Sequence, residues 1–171
     1  MELLKSIVSW CHILSASFSL LTGAIVLVGL KGTTRHKKLG TYYFYLMIIN
    51  NITALFIYNA GGFFFPHWLA IAILIIIIPG FLIAKYKNIK YWLQIHIIFL
   101  VISYYLLIGG AINEAFLRIE ILKPLMTGRS FVFGVTHVVA QIIFTGLLIY
   151  FLIRSNVLRN YKGLVKSDKV S

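Results

Sequence analysis

Five stretches of the chain are apolar on every side for about the length of a membrane-crossing helix, and polar residues separate them. The plainest is Trp68 to Ala84, WLAIAILIIIIPGFLIA, which carries no charge and a run of four isoleucines. A bilayer's hydrocarbon core takes roughly 17–25 such residues, and in lipid only helices or closed barrels satisfy their own backbone. The pattern predicts helices over about residues 6–30, 39–59, 67–86, 91–112 and 130–154. The expected fold is all-α: a single bundle of five transmembrane helices over residues 1–154, followed by a basic tail over 155–171.

Within each helix the small and polar positions share a face. In the first, Ser15, Ser19 and Gly23 recur at four-residue spacing and should let a neighbour approach closely. The second presents His36, Gly40, Tyr43, Met47, Asn50 and Ala54, and extends back towards His36. Asn50 and Asn51 are adjacent, so they cannot share one face, and at least one needs a partner inside the bundle. They act either as helix glue or as pocket lining. Gly61-Gly62 and Pro66 break the chain, with Phe63, Phe64, Phe65 and Trp68 placed as an interfacial aromatic belt. Pro79-Gly80 should kink the third helix, which reads as the most lipid-exposed. The fourth presents His96, Ser103, Leu107, Gly110 and Glu114 and can continue through Arg118; the fifth presents Gly134, His137, Gln141 and Thr145.

Charge orients these helices. Of 171 residues, 16 are Lys or Arg and 4 are Asp or Glu, a formal charge of +12, with a mean hydropathy of +0.93. The basic residues lie in the segment from Lys31 to Lys38, in that from Lys85 to Lys90, and in the C-terminal tail, whereas the other two connectors are neutral or balanced. Five alternating helices put all three basic segments on one side. This places the N-terminus outside and the C-terminus in the cytoplasm of a membrane, expected to be the bacterial cytoplasmic membrane. Anionic headgroups account for the charge, and no nucleic-acid partner is needed. The segment from Ser6 is longer than a signal-peptide core and reads as retained. Cys11, the sole cysteine, excludes an intramolecular disulfide and reads as a buried thiol.

The five histidines are the candidate chemistry. Counting from the basic ends at 1.5 Å per residue, His12 lies about 27 Å from Leu30 and His137 about 25 Å from Arg154, both in the outer half. His96 lies about 9 Å above Lys90, while His36 sits at the inner interface, about 9 Å out of level with it. His67 falls at the outer interface. The two levels are on the order of 18 Å apart, which disfavours one four-histidine site and leaves two pairs: His12 with His137, the better candidate, and His36 with His96. Two imidazoles from different helices are the axial ligands of a b-type haem, or part of a site for a divalent metal. Each histidine can equally hydrogen-bond across a helix interface; Gln141 is in reach of His137 and Ser15 of His12. Glu114 and Arg118 form an i,i+4 pair near the outer surface, either a solvated ion pair or groups that meet a quinone headgroup or proton.

His12, the segment His36-Lys37-Lys38-Leu39-Gly40, Ile95-His96 and Leu117-Arg118 together resemble a family of uncharacterised bacterial membrane proteins defined only as a domain of unknown function. The resemblance covers about residues 10–120. Its layout is similar to that of small b561-type membrane cytochromes. That likeness implies haem b held by histidines and electron transfer between a quinol and a redox partner outside. The alternative is a non-catalytic accessory or assembly protein whose histidines are packing hydrogen-bonders. A small transporter is a third reading, weakened by the lack of a mid-membrane carboxylate.

Overall fold

The computed structural model describes residues 2–57, 65–126 and 131–167, with side chains in 3–57, 65–126 and 131–156. Among these residues the chain is wholly helical: α1 (Glu2–Val28), α2 (Thr34–Ala54), α3 (Phe65–Tyr86), α4 (Trp92–Arg118) and α5 (Phe131–Ser167), with a short 3-10 turn at Lys123–Met126. Four of the five have apolar stretches long enough to cross a membrane: Leu3–Val28, Phe65–Tyr86, Trp92–Arg118 and Phe131–Asn156. Helix α2 is more polar, with Lys37, Lys38, Asn50 and Asn51, and turns its amides into the bundle.

Local chemistry sets the junction between α1 and α2. After Gly29 the Lys31 side chain folds back and donates to the carbonyls of Val26, Leu27 and Gly29, capping the negative end of α1. Gly32 takes a left-handed φ of +79°, and Thr33 then N-caps α2 by accepting the His36 N–H at 3.1 Å. Helix α2 therefore starts at Thr34, and His36 lies in its first turn.

Helices α1 to α4 pack in a ring, each on the next, with α4 returning to α1; α5 packs on the outside of α4. Neighbours run antiparallel. His12 near the start of α1 meets Asn50 near the end of α2, Phe44 of α2 stacks on Phe81 of α3, Gly80 of α3 meets His96 of α4, and Phe116 of α4 meets Phe133 of α5. All the described basic turns consequently gather at one end of the bundle.

The centre is built from Tyr43, Met47, Ile73, Ile77, Tyr104 and Leu107. The small face of α1 is the surface they close upon. Ser15 and Ser19 are buried, and a Cβ at Gly23 would lie 2.5 Å from Tyr104 Cδ2 and 2.9 Å from Tyr43 Cε2. Only a glycine admits both rings there. Gly80 plays the same part between α3 and α4, where a Cβ would lie 2.7 Å from that of Phe99. Lipid tails are as apolar as leucine, so close packing of this kind, with interhelical hydrogen bonds, holds membrane helices together.

Several expectations change. Helix α3 has the most buried apolar stretch of the four long apolar helices, and α5 the least. The uniform apolarity of α3 says that it can face lipid, not that it does; its Ala70, Ile73, Ile77 and Gly80 form a narrow stripe against α2 and α4. The Pro79-Gly80 step lies inside this helix and does not end it. Cys11 is exposed, on the outward stripe of α1 with Trp10, Leu14 and Phe18, and is not a buried thiol. His67 is buried in the first turn of α3, not facing the interface, although Phe65 and Trp68 beside it are exposed as a belt requires. Gly61, Gly62, Phe63 and Phe64 lie outside the described residues, as do the end of the second predicted span and Ser130. Helix α5 runs on past Arg154 to Ser167, since no proline or capping signal stops it there.

Candidate functional site

A cross-helix hydrogen bond sets the register of the site. Tyr43 Oη of α2 and Ser103 Oγ of α4 lie 3.1 Å apart, both buried. His36 precedes Tyr43 by seven residues and His96 precedes Ser103 by seven. Seven residues are close to two helical turns, so each histidine is on the same face as its partner and about 10 Å nearer the basic end. His36 and His96 are thereby level with each other. Counting from charged residues puts them about 9 Å out of level, a gap that an extension of α2 back through His36 or a tilt would have to close.

The two rings are close enough to feel each other. Burial, followed by the charges of Lys31 and His96, pushes the His36 imidazole below its ordinary range, so it is neutral at pH 7. His36 is half-buried in the first turn of α2, ahead of the span expected over 39–59. Its Nδ1 is buried and has no hydrogen-bond partner among the described residues. His96 Nδ1 lies 2.9 Å from the Gly80 carbonyl, which can only accept, so Nδ1 carries the proton and Nε2 the lone pair. That is how second-shell carbonyls orient ligating histidines. One turn above His36, a Cβ at Gly40 would meet nothing within 4 Å, which leaves room beside the pair.

The outer histidines are not brought together. His12 Nδ1 donates to the Asn50 carbonyl at 3.0 Å, with Thr53 Oγ1 at 3.4 Å, so its ring is turned onto α2. His137 Nδ1 donates to the Phe133 carbonyl of its own helix at 3.1 Å, against the Phe133 ring. The α1 and α5 backbones do not pack on each other among the described residues. Nor are the two level. Tyr104 Oη bonds the Leu20 carbonyl and Tyr105 Oη bonds Gln141 Oε1, so His12 lies roughly 12 Å and His137 roughly 6 Å outward of those adjacent tyrosines.

The remaining candidates divide in the same way. Glu114 and Arg118 pair with each other, more than half exposed, about 27 Å along α4 from His96. Asn51 Nδ2 donates to the Met47 carbonyl at 2.7 Å, while Asn50 Oδ1 is buried without a partner among the described residues. Gln141 is on the exposed face of α5, holding Tyr105 and Thr145. No cluster of three or more His, Cys, Asp or Glu suited to a metal occurs among the described residues. The inner donor set is therefore two imidazoles: short of a closed zinc site, and the right number for the two axial positions of a haem.

Residues 9–153 match a family described as predicted membrane protein, DUF2306. The chain belongs to this family. The DUF2306 match spans all five helices and takes in His137, beyond the part of the chain whose motifs resembled the family. No curated protein and no solved structure matches the chain.

Sequence reasoning passed over Tyr104, the close approach of Gly80 to α4 and the pairing of Lys31 with the end of α5. The first had a signal: Tyr104 lies next to Ser103 on α4, and a tyrosine needs a facing small residue, which Gly23 supplies. Which helix faces Lys31 had none.

Proposed function

We propose that this DUF2306 protein is a five-span membrane protein, N-terminus outside and C-terminus cytoplasmic, that holds haem b between His36 and His96 near its cytoplasmic face. The observation that carries the reading is their common level, fixed by the Tyr43–Ser103 bond, with the lone pair of His96 Nε2 left free. In this reading the Gly80 carbonyl keeps the His96 ring in one tautomer and one orientation. Burial keeps His36 neutral, as a ligand must be. Gly40 leaves the neighbouring space open, and Tyr43 closes it from above. Haem bound there would supply one-electron chemistry, suited to passing electrons between a membrane quinol and a partner. The rest of the chain is a single bundle over residues 1–154, with the basic segment from 155 onward at the cytoplasmic face.

A second reading has its own support. His12, His96 and His137 each give Nδ1 to a backbone carbonyl, which also suits histidines that only fasten helices in an accessory or assembly protein. A visible spectrum of protein purified from haem-sufficient cells separates the two. A Soret band with low-spin features supports the first reading. A colourless protein with stoichiometric zinc or another divalent metal moves the site to that metal. A colourless, metal-free protein leaves the accessory reading.

A further inference from the structure

At the basic end of the bundle a cleft of about 230 Å³ opens between the end of α1 and the outer helix α5. Leu27 and Val28 line one wall, Leu147 and Phe151 the other, and Lys31 and Arg154 stand at its mouth. Its volume is below the roughly 300–1,000 Å³ of pockets that engulf a whole small molecule. It suits a headgroup and the first part of a chain.

Among the described residues no carboxylate answers the charges of Lys31 and Arg154. Lys31 Nζ sits 4.7 Å over the Phe151 ring, and its hydrogen-bond partners among the described residues are carbonyls, which use its protons without neutralising its charge. Arg154 donates to Tyr150 Oη at 3.3 Å, also neutral, and keeps its other N–H groups. Burial and the Arg154 charge together push the Lys31 ammonium below its ordinary range, so the two cations sense each other. The acids whose side chains are described, Glu114 and Glu120, lie at the opposite end. The Gln94–Asn156 bond puts Arg154 level with the start of α4, and Glu114 is about 30 Å further along that helix. An anion between Lys31 and Arg154 would relieve their repulsion.

We propose that this cleft binds the phosphate of an anionic phospholipid of the inner leaflet. Arg154 donates hydrogen bonds to the phosphate, Lys31 supplies charge, and an acyl chain runs along Leu27, Val28, Leu147 and Phe151. Basic pockets between transmembrane helices at the cytoplasmic surface take such headgroups, and the apolar walls make a lipid a better occupant than a free anion. The site does not involve the histidines and does not rest on a bound haem.

The test uses the full-length protein, delipidated in a non-ionic detergent and titrated with phosphatidylglycerol, phosphatidylcholine or inorganic phosphate, with bound lipid counted by native mass spectrometry and stability followed by thermal unfolding. The expected result is a preference for phosphatidylglycerol over phosphatidylcholine of at least tenfold, with inorganic phosphate far weaker. Arg154→Gln should remove most of that preference. Arg154→Glu should remove it entirely and also raise the unfolding temperature of the lipid-free protein, because the new carboxylate takes the anion's place. Lys31→Gln should weaken binding too, but it uncaps α1, so the Arg154 variants decide. A Lys37→Gln/Lys38→Gln variant loses two charges of the neighbouring segment and should keep the preference. Equal binding of the two lipids, an equal loss in the Lys37/Lys38 variant, or inorganic phosphate matching phosphatidylglycerol would each overturn the proposal.

Discussion

Single residues decide how closely these helices approach. Gly23 sits under two tyrosine rings, so Gly23→Ala should overpack the centre and cost about 1–3 kcal/mol. Gly110, where a Cβ would meet nothing within 4 Å, should accept alanine neutrally or with a gain of up to about 1 kcal/mol. Thermal unfolding in detergent compares the two directly, and equal effects would contradict the packing described for Gly23. The small-residue face of α1 was legible because Ser15, Ser19 and Gly23 recur at a helical period. What fills it was not, because nothing along the chain says that Tyr43 and Tyr104 converge on the same glycine. At the far end, Glu114 and Arg118 are an exposed i,i+4 pair, and Arg118→Ala should change stability by less than about 0.5 kcal/mol. His12→Ala should cost about 1 kcal/mol by cutting the tie between α1 and α2, and leave any spectrum untouched.

At the scale of elements, apolarity predicted the existence of the helices better than their placement. The four isoleucines of α3 announced a helix, yet hydropathy cannot tell a lipid-facing helix from one enclosed by others, and α3 turned out the more enclosed. Helix α5 takes the exposed position, held to α4 by Phe144 against Tyr104 and Tyr105, by Phe116 on Phe133 and by polar ties at Gln141 and Asn156. The α3–α4 contact depends instead on Gly80, whose close approach to Phe99 and Leu100 also presents the carbonyl that orients His96. Gly80→Leu should therefore do two things at once: lower the unfolding temperature, and turn the His96 ring out of the orientation that the Gly80 carbonyl gives it. Gln141→Ala, which loosens α5 on its exposed face, should lower stability only slightly and leave His96 chemistry unchanged. The start of α2 shows why the inner pair was harder to read. The Thr33 cap starts α2 at Thr34, so His36 lies within its first turn and shares the helical register of Tyr43.

Across the whole molecule, alternation of basic and neutral connectors and alternation of helix direction agree. The turn at Lys31 and the end of α5 at Arg154 meet at one end of the bundle, and the turn from Lys85 to Lys90 joins α3 to α4 at that end too. The proposed orientation expects a tag at the N-terminus to be accessible from outside and one at the C-terminus only after the cells are opened; both ends on one side would break it. The number of helices and their order were legible because polar connectors separate long apolar stretches, although only four of the five are long and apolar enough to cross a membrane. The two candidate histidine pairs were legible as well, but not their relative levels, because depth counted from charges ignores where a cap starts a helix, whereas the hydrogen bond between Tyr43 and Ser103 sets the register of α2 on α4. The central claim, that His36 and His96 are the ligand pair, is tested most directly by titrating haem into the purified haem-free protein and its four single His→Ala variants while following the Soret band. The account predicts a one-to-one low-spin complex for the unaltered protein, His12→Ala and His137→Ala, and its loss in His36→Ala and His96→Ala. A complex that survives both inner substitutions, or that disappears with His12 or His137 instead, would contradict it.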